Sequence, residues 1–357
     1  MPFDVREFPA GSEMADRHRR WVAGWLFALC AMVLVMIVLG GATRLTGSGL
    51  SIMEWAPLLG ALPPLSDAEW QRLFGLYQQI PQYHLVNQGF GLDGFKHIFW
   101  LEWTHRLWGR LMGLAFLLPL IVLWARGAIP RRLRPRLVLL FLLGGAQGAV
   151  GWFMVASGFL PDSTAVSPYR LVVHLAVALV LYVALLWTGL SVAWPVPGAI
   201  GTRATRWFAW ACAGLIGLTI VAGGFVAGTH AGLIYNTFPL MDGRLVPADY
   251  AQLDPFPRNL TENLAAVQFD HRLLATLTAL AAIGTIVVGF ASGAAGRLRV
   301  ALIALALAVS AQYALGVATL LSVVAVGLAT AHQAVAVLAL TSVIAVLHAL
   351  RPPGART

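Results

Sequence analysis

WVAGWLFALCAMVLVMIVLGGAT, residues 21–43, carries no charged side chain from end to end. A helix that crosses the hydrocarbon core of a bilayer needs about 20 mostly apolar residues, and this run supplies them alone. It is too long for the apolar region of a cleavable secretion signal, about 7–15 residues. The polar segment before it ends in Arg17, His18, Arg19 and Arg20. It therefore reads as a retained first span. Seven further runs follow, at 103–125, 136–157, 170–192, 206–228, 269–291, 298–321 and 328–350.

Composition agrees. Of the 357 residues 59% are hydrophobic and 11% charged, against about 25% charged in a soluble domain. So much apolar surface calls for lipid as its solvent. The net charge of +9 would suggest nucleic acid in a soluble protein. Here the basic residues, all Arg except Lys96, sit in short loops between apolar runs, as membrane topology requires. No nucleic-acid partner is expected. Cys30 and Cys212 each lie inside an apolar run and read as small buried residues.

Arginine placement orients the chain. Arg126, Arg131, Arg132, Arg134 and Arg136 share one loop, Arg203 and Arg206 mark another, and Arg297 and Arg299 a third. With eight spans these fall on the same side as Arg17, Arg19, Arg20 and Arg351. The positive-inside rule makes that side the cytoplasm and puts both termini there. The two long loops, about 44–102 and 229–268, lie opposite.

The chain also repeats. Gly40-Gly41, Thr46, Gly49, Leu50, Trp55, Gly60 and Pro64 recur, 183 residues on, as Gly223-Gly224, Thr229, Gly232, Leu233, Phe238, Gly243 and Pro247. Glu102-Trp-Thr-His105-Arg106 matches Gln268-Phe-Asp-His271-Arg272 at an offset of 166, and Gln147 matches Gln312 at 165. His174-Leu-Ala-Val-Ala matches His332-Gln-Ala-Val-Ala at 158. The expected fold is therefore an all-α integral membrane protein, its eight spans forming two tandem, pseudo-symmetric four-helix bundles. The units would be a cytoplasmic N-terminus (1–20), a first bundle (21–192), a cytoplasmic linker (193–205), a second bundle (206–350) and a cytoplasmic tail (351–357). An even number of spans per unit gives both the same orientation, as for parallel repeats.

Nine histidines are present, and four of them, His105, His174, His271 and His332, fall near the starts of the second, fourth, sixth and eighth spans. Those helices run in one direction, so parity alone puts the four at similar depth. An ionisable residue inside a span marks a functional site by default. Two histidines per bundle, duplicated in the second, suit axial ligation of haem iron, and the macrocycle suits a four-helix core. Zinc or copper would want three or four ligands, and no Cys is near. Arg106 and Arg272 each follow a His, and Arg110 lies one turn below Arg106. Two readings of these arginines stand: pairing with haem propionates, or snorkelling to the interface. Glu102 lies three residues before His105 and shares its helix face, whereas its counterpart Gln268 cannot ionise. A carboxylate beside a haem ligand can move protons; an amide cannot. The alternative for Glu102 is an interfacial cap of the helix start. The asymmetry suggests chemistry in the first bundle and an electron-carrying haem in the second.

At these residues the sequence resembles the haem A synthase family. The matching stretches are Gly40-Gly-Ala-Thr-Arg44-Leu-Thr46 with Ser48-Gly-Leu-Ser51, Pro63-Pro64, Phe95-Lys96 and Glu102-Trp-Thr-His105-Arg106. To these add Gly109-Arg110, Phe269-Asp-His271-Arg272 and the two downstream histidines. The resemblance covers nearly the whole chain. It implies oxidation of a ring methyl of haem O to a formyl group by two successive hydroxylations, the second giving a gem-diol that loses water. The product, haem A, serves haem-copper terminal oxidases. It further implies that His271 and His332 ligate a resident haem b, that His105 and His174 bracket the substrate haem, and that Glu102 is the catalytic carboxylate. Some members carry a cysteine pair in the first external loop. Residues 44–102 here contain none, so the chain resembles the cysteine-free branch seen in proteobacteria and mitochondria, and no mechanism here uses those thiols. The short N-terminus points to a bacterial inner membrane.

The farnesyl tail of haem O partitions into lipid, which suits a membrane-facing bundle. The first external loop is rich in Trp55, Leu58, Leu59, Trp70, Phe74, Tyr77, Tyr83, Phe90, Phe95, Phe99 and Trp100. It is expected to fold over the outer end of the first bundle as a lid, the alternative being an interfacial aromatic belt. His18, His84, His97, His230 and His348 read as bystanders. The rival function is a two-haem membrane electron-transfer cytochrome without oxygenase activity, which would not need Glu102 beside one histidine only. A haem or small-molecule transporter would want broken spans, and no convincing pair is seen. Expected partners are the bilayer, haem O, an electron donor that no motif identifies and, by pathway logic, haem O synthase.

Overall fold

The computed structural model describes residues 13–56, 59–161, 163–196 and 201–351. The N-terminal segment 1–20 is thus described only from Glu13, the tail only at Arg351, and the linker without 197–200; Leu58 lies outside the described residues, as does the side chain of Leu59.

Among the described residues eight helices are long and apolar enough to cross a membrane. With the shorter helices between them they run α1 (Glu13–Leu45), α2 (Asp67–Tyr77), α3 (Pro81–Leu85), α4 (Leu92–Ala125), α5 (Arg134–Val155) and α6 (Pro168–Ala193). Then come α7 (Arg203–Thr229), α8 (Asn259–Glu262), α9 (Leu264–Ala291), α10 (Gly296–Leu321) and α11 (Val326–Ala349). The spans are all but α2, α3 and α8, which lie in the two long loops. Large apolar side chains stand exposed along them: Leu114, Leu118 and Ile121 of α4 at 51–57%, Val300 and Leu307 of α10 at 68%. In water that surface would be costly; in lipid it is the expected exterior.

Two helix starts differ most from the sequence expectation. α1 starts at Glu13, and α4 starts at Leu92 rather than near 103. Residues 92–102 carry Asp93, Lys96 and Glu102, so hydropathy ends the span there, yet they keep a helix by burying Phe95, Ile98 and Phe99 on one face. His105 therefore sits in the fourth turn of its helix, not the first two. His174, His271 and His332 do lie within two turns or so of their helix starts, at Pro168, Leu264 and Val326.

Neighbour relations follow the repeat. α1 packs on α4 and α6, and α5 joins α4 to α6. Likewise α7 packs on α9 and α11, and α10 joins α9 to α11. The two sets meet through α6 with α7, α1 with α11, and α6 with α11. Polar bonds cross that seam: Arg44 on α1 donates to the Ala227 carbonyl on α7, Gln333 on α11 donates to the Ile37 carbonyl on α1 (3.2 Å), and the Tyr182 and Thr341 hydroxyls are 2.7 Å apart. In lipid such bonds hold helices together where the hydrophobic effect does not. Cys30 and Cys212 are both free and buried.

The first long loop has a core of its own. Trp70, Phe74, Tyr77, Ile80, Phe95 and Phe99 pack together with Leu50, and Ser66 caps α2 by accepting from the Glu69 amide at 3.3 Å. The loop also touches the bundle: Trp55 stacks on Trp152 of α5, with centroids 6.0 Å apart, and Arg110 of α4 donates to the Ala56 carbonyl at 2.7 Å. Hydrogen bonds from Arg72 hold the Glu54 carboxyl below the usual carboxylate range.

Candidate haem-binding site

Each of the four span histidines rests on a glycine of the adjacent helix. A Cβ on Gly40 would lie 3.1 Å from Cε1 of His105, and one on Gly151 3.0 Å from Cε1 of His174. In the second half Gly223 stands 3.0 Å from His271 and Gly316 2.9 Å from His332 by the same measure. The contact joins α4 to α1, α6 to α5, α9 to α7 and α11 to α10, so it obeys the repeat. Any larger residue at those glycines would push the imidazole aside.

Several ring and amide atoms here have no partner. Nδ1 of His105 and of His332, and Oε1 of Gln147 and of Gln312, are buried without a hydrogen bond. Buried polar atoms are seldom left so. Among the described residues no three His, Cys, Asp or Glu side chains gather into a metal-ion site; the imidazoles come two to each half, on α4 and α6 and on α9 and α11. That set fits a haem iron with two axial histidines and does not fit a tetrahedral ion.

Glu102 is buried, with 2% of its surface exposed. Its Oε2 accepts from the Ser51 hydroxyl (2.7 Å) and the Ile52 amide (2.9 Å). Its Oε1 accepts from Arg106, at 3.0 Å from Nε and 2.6 Å from Nη2. Four hydrogen bonds of this kind hold the carboxyl in a fixed place. Gln268 occupies the matching place with the polarity reversed. Its Nε2 donates to the carbonyls of Ala231 (2.8 Å) and Ile234 (2.5 Å), and its Oε1 accepts from Arg272 (2.8 Å). The first frame offers donors to a carboxylate; the second offers carbonyls to an amide. Gln268→Glu should therefore lose both donations and set oxygen against oxygen, at a cost of about 1–3 kcal/mol. A lower unfolding midpoint in detergent checks this, and an unchanged one would refute the frame.

The arginines do the same work in both halves. Arg106 donates to the carbonyls of Ile52 (2.7 Å) and Glu54 (2.9 Å). Arg272 donates to those of Tyr235 (2.6 Å) and Thr237 (3.0 Å), which lie 183 residues further on. Arg110 reaches the Ala56 carbonyl. All three thus fasten an external loop to a helix.

A family model described as cytochrome oxidase assembly protein (COX15-CtaA) matches residues 23–344. The chain belongs to that family. It is 66% identical over 340 residues to the heme A synthase of Granulibacter bethesdensis, covering 95% of this chain and 90% of that one. It is 50% identical to the heme A synthase of Rhodospirillum centenum, covering 96% and 92%. It is 46% identical to that of Nitrosospira multiformis, covering 92% and 93%. The family match takes in all four histidines, their glycines and Glu102.

Sequence reasoning missed two things at this site. Ser51, buried at 2% exposure, appeared only as part of a motif. Gly151 and Gly316 were not singled out, although the offset of 165 that links Gln147 to Gln312 links them as well. His348, read as a bystander, lies in the last turn of α11, away from the four histidines. It is 3% exposed, its Nε2 lies 2.7 Å from Nη1 of Arg351 and 3.4 Å from the Ser191 hydroxyl, and it joins the ends of α6 and α11.

Proposed function

We infer that this chain is a haem A synthase, an enzyme that oxidises a ring methyl of haem O to a formyl group to give haem A for terminal oxidases. The observation that carries the reading is the pair of matched frames: the same histidine, glycine and arginine set built twice, with a buried carboxylate in one copy and an amide in the other. An electron-transfer cytochrome with two equal haems has no use for that difference.

Within this reading the chain folds as two four-helix units in tandem, 21–192 and 206–350. The first binds haem O between His105 and His174; the second holds haem b between His271 and His332. Bound there, haem b would supply a one-electron relay. Glu102 acts beside the substrate as the group that holds and moves a proton, and the bonds from Ser51, Ile52 and Arg106 aim it. Arg106, Arg110 and Arg272 would offer cations to haem propionates, while their bonds to loop carbonyls hold the loops against the helices. The aromatic loop excludes water from the outer end of the first unit. The arginine-bearing loops favour cytoplasmic termini, in keeping with a multi-pass protein of a bacterial inner membrane.

The test is to express the chain with a haem O supply and separate the extracted haems by chromatography. Haem A should appear. Bound haem with haem O left unconverted, given oxygen and a competent reductant, would favour the electron-transfer cytochrome instead.

A further inference from the structure

We propose that Gln147 and Gln312 are positioning residues for His174 and His332, their amide oxygens accepting the ring N–H that remains once the other ring nitrogen is on iron. This rests on the haem-binding reading above.

α5 and α10 each present Gln-x-x-x-Gly to the neighbouring helix, as Gln147 with Gly151 and Gln312 with Gly316. One turn of helix separates the pair, so both meet the same imidazole. The glycine lies against Cε1, and the glutamine amide lies beside a ring nitrogen. Nε2 of Gln147 is 3.1 Å from Nδ1 of His174, and Nε2 of Gln312 is 3.4 Å from Nε2 of His332. The other two histidines have no glutamine there. The positions four before their glycines are Met36 and Thr219, and His271 lies 3.2 Å through Nδ1 from the Thr219 carbonyl.

The unpartnered atoms give the argument its direction. An imidazole that ligates iron through one nitrogen carries a proton on the other, and that N–H needs an acceptor in a buried site. Oε1 of each glutamine is a buried acceptor with nothing to accept. Turning the amide about its last side-chain bond brings that oxygen to the ring. The two sites differ in what the turn gives up. Gln147 also donates to the His174 carbonyl at 2.8 Å, so the turn exchanges one hydrogen bond for another. Gln312 has no such bond and gives up only its 3.4 Å contact with Nε2 of His332, while Nδ1 of His332, without a partner, is the nitrogen left for iron. The arrangement favours a haem that stays on the His332 side and one that can leave on the His174 side.

A stronger acceptor makes the imidazole a better electron donor and stabilises ferric iron. The experiment uses the full-length protein purified in detergent with its resident haem. Its readouts are haem content, midpoint potential and ferric low-spin g-values in the wild type, Gln312→Glu and Gln312→Leu. Gln312→Glu should retain haem at a lower potential. Gln312→Leu should move it upward. Haem retained in both variants with wild-type potential and g-values would overturn the proposal. If Gln312→Leu loses its haem, Gln312→Glu decides alone, and an unchanged or raised potential overturns the proposal. A wild type that binds haem but makes no haem A would defeat the synthase reading while leaving this comparison valid. A wild type without haem would defeat both.

Discussion

Glu102→Gln is expected to stop haem A formation, by about 10²–10⁴ in rate as for loss of a general acid–base group, while the resident haem stays bound. Two things change together. The charge beside the substrate is lost, and the new amide must point a donor either at Arg106 or at the Ser51 hydroxyl and Ile52 amide, all of which are donors to the carboxylate now. Haem O bound but unconverted, with the external loop still protected from protease, would assign the loss to proton handling. Conversion at the wild-type rate would end the catalytic role of Glu102. Gln268 shows that an amide is compatible with this place only when the frame around it is made of carbonyls.

His271→Ala and His332→Ala should each remove the resident haem spectrum. Outer partners of a metal ligand are already worth about 10–100-fold in affinity, so losing the ligand itself should cost at least that much. The hole left against Gly223 or Gly316 is one ring wide, and the flanking helices keep their other contacts, so helix content should persist. His105→Ala supplies the contrast, since it should spare the resident haem. A normal spectrum in either second-half variant would refute the ligand pair.

Much of this was legible beforehand, for identifiable reasons. Eight apolar runs are long signals that no competing structure produces, and parity then groups His105, His174, His271 and His332 without any coordinates. The early start of α4 was not legible, because Asp93, Lys96 and Glu102 interrupt hydropathy while the helix continues on an aromatic face. Nor were the roles of the arginines. Arg106 and Arg272 look like anion binders in sequence, and Arg106 does pair with Glu102, but both also donate to backbone carbonyls, which leave no mark on a residue string. Gly151 and Gly316 are two among 36 glycines, and only the ring lying on each sets them apart.

Arg44 lies 183 residues before Ala227, the residue whose carbonyl it binds. It therefore meets its own counterpart, near the axis that relates the halves. In a symmetric dimer of identical subunits a residue at that axis faces its own copy, and two arginines would repel across a medium that screens poorly. A single chain carrying both halves escapes that constraint. One copy keeps the cation while the other shrinks to alanine, and the guanidinium spans the gap. The same freedom lets one half keep Glu102 and the other Gln268. Covalent fusion is what allows a duplicated scaffold to divide its labour.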